Sequence, residues 1–167
     1  MNTVSARYAS LAVVLVGWVS VAGSALAQQE HQHQHAGAAV ANLQLDAGHK
    51  WATEISLRLG MASIRAAFDA DHPSIHEGKE TDAQYEALAA PIESQVNDIV
   101  KNCKLPPAAD ANLHYVIADL SQGVSLMRGQ DPAHTRHDGA ALVHGALIAY
   151  GKYFDDPDWV AEPAMKH

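Results

Sequence analysis

The sequence predicts an all-α fold, an antiparallel up-down-up-down four-helix bundle, on three observations. Apolar residues recur at three- and four-residue intervals in four stretches of similar length. Short or moderate connections containing Pro, Gly and Asp separate these stretches, which makes consecutive helices antiparallel neighbours. No run alternates polar with apolar residues as a half-buried strand does, and no internal repeat is evident.

Ahead of the bundle, residues 1–27 have the pattern of a secretory leader. Arg7 supplies a positive charge, an uncharged apolar run covers 11–22, and Ala25-Leu26-Ala27 offers the small-residue site for cleavage after Ala27. The run is shorter than the ~20 residues that span a bilayer, and no second one follows. The expected location is therefore the periplasm, with no membrane insertion after cleavage. Residues 28–42 are mostly Gln, His, Ala and Gly without an apolar period and are expected to form a flexible tail. The bundle is assigned to 43–160, followed by a C-terminal tail at 161–167.

The first helix is expected over 51–70, with Leu57, Met61, Ile64 and Phe68 on one face. His72-Pro73 should stop it, because the residue before proline is pushed out of helical geometry. The second begins at Thr81, a capping residue with Gln84 three positions on. Its face carries Tyr85, Leu88, Ile92, Val96, Ile99 and Cys103, with Pro91 inside as a kink. After Leu105-Pro106-Pro107 a third helix spans 108–128 with Leu113, Ile117, Leu120, Val124 and Met127 inward, closed by Gly129. The fourth covers 135–154 with Ala140, Val143, Leu147, Tyr150 and Phe154 inward, and Asp156-Pro157 ends it.

Cleavage would remove one of 11 basic residues and none of 19 acidic ones, moving the formal charge from -8 to -9. Without a basic stripe, nucleic acid and anionic membrane surfaces are poor partners. An internal disulfide is excluded by the single cysteine, Cys103, which leaves a Cys103-linked homodimer open. All 11 histidines lie beyond residue 27, and that excess of imidazole in an exported chain points toward transition metals.

The topology brings the first and third connections to one end of the bundle. His72 and His76 would meet His134 and His137 there, each pair close enough in sequence to chelate one ion; otherwise they are solvated loop residues. The other end receives Cys103 and His114, with His49 and the alternating His31, His33 and His35 nearby. Thiolate with imidazole suits copper or zinc, although Cys103 serves equally as a small core residue. Midway, Met61 and His144 are expected at similar depth on facing helices, where thioether and imidazole can ligate iron or copper; Met61 also fits the core period. The acids Glu54, Glu86, Glu93, Asp98 and Asp119 are expected on solvated faces. Motifs for phosphate loops, nucleophile elbows, CxxCH haem attachment and HExxH zinc sites are absent from the sequence.

Lys50-Trp51-Ala52-Thr53, Leu59-Gly60-Met61, Ile75-His76-Glu77-Gly78-Lys79, Ile99-Val100-Lys101-Asn102-Cys103-Lys104-Leu105 and Tyr150-Gly151-Lys152-Tyr153-Phe154 carry a resemblance. Over most of the chain after the leader, it resembles a group of exported proteobacterial helical proteins of poorly defined activity. In architecture the bundle is distantly similar to cytochromes b562 and c′. The resemblance to the first implies Met61 and His144 as axial ligands of non-covalent haem b. The functional expectation is a non-enzymatic metal-binding or buffering protein of the periplasm, most plausibly for copper, with zinc as an alternative ion. A b-type haem electron carrier and a structural or partner-binding bundle are the competing readings.

Overall fold

Each helix begins where a side chain or a proline deals with the unpaired N–H groups of the first turn. Glu54 accepts hydrogen bonds from the N–H groups of Ser56 (2.9 Å) and Leu57 (2.7 Å) and starts α1, Ile55–His76. Thr81 and Gln84 exchange backbone bonds in a capping box that opens α2, Asp82–Asn102. Pro107 occupies the first position of α3, Pro107–Met127, where its missing N–H costs nothing. Thr135 and Asp138 form a second capping box at the head of α4, Arg136–Tyr153. Two helices end in the same way. Gly78 and Gly129 adopt φ of +64° and +69° after α1 and α3, and the following N–H groups return to Ser74 and Ser125 carbonyls, closing the last turns.

The computed structural model describes residues 38–160. The leader, its cleavage site and His31, His33 and His35 fall outside the described residues. Within them α1 packs on α2, α2 on α3, α3 on α4 and α4 back on α1, an antiparallel up-down-up-down four-helix bundle. The core is built from the predicted stripes: Leu57, Met61, Ile64 and Phe68 of α1 meet Leu88, Ile92, Val96 and Ile99 of α2, with Leu120, Met127, Val143 and Tyr150 completing it. In α3 the fully buried position is Val116, while Ile117 lies at the core's edge. The α3–α4 seam is the tightest. A Cβ on Gly139 would stand 2.6 Å from the Gly123 carbonyl oxygen and 2.7 Å from the Met127 nitrogen, so the two backbones touch.

Two sequence expectations are corrected. The first helix neither starts at 51 nor stops at 70. Trp51–Ala52 is a short strand, β1, in parallel register with Phe154–Asp155, β2, pairing Trp51 with Phe154 and Ala52 with Asp155. The Thr53 hydroxyl donates to the Asp155 carbonyl at 2.7 Å and extends this tie. At the other end α1 runs through Pro73 to His76. Proline this late removes only the bond to the Asp69 carbonyl, which lies at an exposed residue where water can serve it. Burial of Ile75 and the glycine closure at Gly78 favour the extra turn.

The second correction concerns the segment expected to be tail. Ala39–Asn42 is a 3-10 turn seated on α3. It is held by Asp119, only 3% exposed, whose carboxylate accepts from the N–H groups of Ala39 (2.7 Å) and Val40 (3.0 Å). Asp119 is thus a buried anchor instead of a solvated surface acid. Glu86 and Glu93 lie on outer faces as expected and are paired there with arginines. The Arg128 guanidinium grips Glu93 through two 2.8 Å bonds and approaches Glu86 at 3.4 Å, while Arg136 approaches Asp82 at 3.4 Å. These pairs tie the start of α2 to the end of α3 and the start of α4.

Candidate functional site

Phe68, His72 and His76 follow one another at four-residue intervals along α1 and therefore share one strip of its surface. The strip faces α4, which contributes His144. Ring centroids of Phe68 and His72 are 5.5 Å apart, those of His72 and His144 5.0 Å, and those of Phe68 and His144 5.4 Å with planes only 15° apart. His76 is one turn further on, 6.3 Å from His72 and exposed. The result is a triangle of one phenyl and two imidazole rings, partly buried, at the α1–α4 seam. Two imidazoles at this spacing can share an ion, stack, or exchange a proton.

The other candidate residues are engaged differently. His134 sets Nδ1 3.0 Å from an Asp131 carboxylate oxygen, and Asp131 is held below its ordinary pKa first by the Ala133 N–H and then by His134. His137 is exposed. Together with His134 it adds positive potential around Asp138, whose carboxyl is lowered chiefly by the Thr135 N–H and hydroxyl. The first and third connections do lie at one end, but His72 and His76 are on a helix, and the ring partner of His72 across the seam is His144. His114 is exposed, with Nδ1 2.8 Å from the Asp110 carbonyl. His49 sits in an exposed turn whose backbone pairs with Asp46.

Cys103 caps the C-terminus of α2, partly buried and hydrogen-bonded to Glu54. Burial, and then the neighbouring Glu54 carboxylate, push the thiol up to about 12. Electrophiles take the thiolate, so at neutral pH the metal-free thiol is protonated and bonded to Glu54. Met61 is fully buried in the core. It precedes Phe68, the ring stacked on His144, by seven residues, two turns or about 10 Å along α1. The rings beside His144 are those of Phe68 and His72.

Among the described residues, no group of three or more His, Cys, Asp or Glu side chains is placed to hold a metal ion. No helix among them is long and apolar enough to cross a membrane. Sequence reasoning singled out His72, His76 and His144 but assigned His144 to a different site from His72 and His76, and it overlooked Phe68 as their neighbour. The signal lay in the four-residue spacing of Phe68, His72 and His76, together with Ile75, an apolar residue past Pro73 that prolongs the helical period. Comparison with protein-family models, curated proteins and solved structures returns no significant match to this chain.

Proposed function

We propose that the chain is a non-enzymatic transition-metal-binding protein of the bacterial periplasm, that copper is its ion, and that the His72–His144 pair is its binding centre. The observation that carries this reading is the 5.0 Å approach of two imidazoles from helices at opposite ends of the sequence. Nitrogen bonds of about 2.0 Å allow two imidazoles to share one ion when their centroids are within roughly 6 Å. The leader-like residues 1–27 and the alternating histidines at 31, 33 and 35 support the same reading, the latter as additional donors that collect ions. Elemental analysis of protein purified from the periplasm tests it. Copper should be present in the wild type and reduced in His72→Ala/His144→Ala; equal metal content in the two proteins overturns the assignment of the pair.

A further inference from the structure

We infer that the outward face of α1 is an interface between two copies of this chain, which meet with their α1 helices antiparallel about a two-fold axis near Ser63. The first ground is a second apolar stripe. Leu57, Met61, Ile64 and Phe68 turn one face of α1 into the core. On the other side Ile55, Leu59, Ala62, Ala66, Ala70 and Pro73 recur at the same three- and four-residue spacing, and all six are exposed. A surface helix ordinarily sets polar and charged residues opposite its buried stripe, and one that is apolar on both sides is covered on both. Ile55 and Leu59 are large aliphatics one turn apart, 60% and 62% exposed, so the stripe is more than a run of small residues. Within the bundle α2 and α4 pack on the flanks of α1 and leave this side open.

Charge is the second ground, and it names the occupant. A formal charge of -8 keeps copies of the chain apart wherever like charges would face each other. The stripe itself presents none. Along one edge of it Arg58 and Asp69 stand three turns apart, on either side of Ser63. A two-fold contact sets residue i of one copy against j of the other and j against i. Antiparallel α1 helices centred near Ser63 therefore place each Arg58 beside the Asp69 of the other copy. The same register lays Ile55 and Leu59 over Ala70 and Ala66, large side chains over small ones. The Asp69 side chain is 48% exposed, and its contact with Arg65 at 3.4 Å leaves room for a second cation. One pair of helices buries less than the roughly 1,200 Å² at which standard interfaces begin, so the dimer should dissociate on dilution.

Sedimentation equilibrium of the purified chain tests this, with EDTA and a reducing agent present so that neither bridging metal nor a Cys103 disulfide can join two chains. The wild type should pass from monomer to dimer as concentration rises from about 1 to about 500 μM, the range of weak interfaces. Leu59→Asp should be monomeric throughout. Val100→Asp, which alters an equally exposed aliphatic (65%) on α2, should dimerise like the wild type. Arg58→Glu and Asp69→Arg should each weaken the dimer roughly tenfold, since one substitution removes two symmetric pairs. The double variant exchanges the two charges and should recover most of that loss. A wild type that stays monomeric, a dimer that survives Leu59→Asp, or charge exchange without recovery overturns the inference. Circular dichroism checks that each variant is folded; if Leu59→Asp is not, Ala66→Asp, at an exposed alanine of the same stripe, takes its place.

Discussion

The carboxylate of Asp119, in the middle of α3, holds the backbone N–H of Ala39 at 2.7 Å and that of Val40 at 3.0 Å. A buried acid thereby fixes the segment that leads into the bundle. Bonds to an ionised acceptor contribute about 1.5–3 kcal/mol each, and losing the acceptor strands two N–H groups. Asp119→Ala should lower the unfolding free energy by roughly 2–4 kcal/mol, measured by urea denaturation. Asp119→Asn should lower it by a similar amount, since its amide offers one acceptor oxygen and turns an NH2 toward the second donor. A change below about 0.5 kcal/mol, the range of ordinary surface substitutions, would show that the segment does not depend on this contact.

Cys103 should react slowly with iodoacetamide at neutral pH, because burial and Glu54 keep its thiol protonated. Removing the charge with Glu54→Gln should shift the rate-versus-pH curve to lower pH while burial keeps it above that of an exposed thiol. An unshifted curve would mean that the Glu54 carboxylate does not act on this sulfur.

Stability should fall as pH rises above 9. The folded Cys103 thiol holds its proton up to about 12, against an ordinary value of 9.0, and burial with the neighbouring Asp156 carboxylate raises the Tyr150 phenol as well. Between those limits the unfolded chain binds fewer protons than the folded one, so the unfolding free energy declines with pH. The stabilisation is whole below pH 9 and is lost through the folded thiol's range near 12. Denaturation series from pH 8 to 11 on wild type and Cys103→Ala should give a shallower decline in the variant; identical slopes would remove Cys103 from the effect.

Two glycines of α4 should respond oppositely to alanine. At Gly139 the new methyl would meet the Gly123 carbonyl oxygen at 2.6 Å, and neither backbone can yield without parting α3 from α4. The cost should be at least about 1–3 kcal/mol, the usual range for overpacking. At Gly145 nothing lies within 4 Å of the added carbon, so Gly145→Ala should stabilise by up to about 1 kcal/mol through helix propensity. Thermal midpoints moving in the same direction would contradict the seam geometry.

The helical faces were legible because three- and four-residue periodicity directly records which side of a helix is dry. The stripes from Leu57 to Phe68 and from Tyr85 to Ile99 are buried as predicted. The Thr81–Gln84 capping box was legible because it is local chemistry. Pro73 misled because its effect on His72 is also local, whereas the burial of Ile75 that offsets it depends on the assembled bundle. The β1–β2 pairing left no trace because two residues per strand are too few to show an alternation. Asp119 looks like any acid on a helix until the segment that covers it is in place. The His72–His144 contact depends on the rotation and axial shift of α1 against α4, which neither helix's own sequence records.

The β1–β2 pairing also returns the chain to its starting place. Trp51, just ahead of α1, lies in register with Phe154, just after α4, and the Lys50 ammonium donates to the Gly151 carbonyl at 2.7 Å. The order of the helices is therefore nearly a closed ring, and where that ring is cut is a choice the fold leaves free. A circular permutant that joins β2 to β1 through a short flexible linker and opens the chain in the exposed turn at 78–79 would keep all four helices and both paired strands. In such a chain α4 would lead through β2, the linker and β1 into α1, and His144 would precede His72 instead of following it.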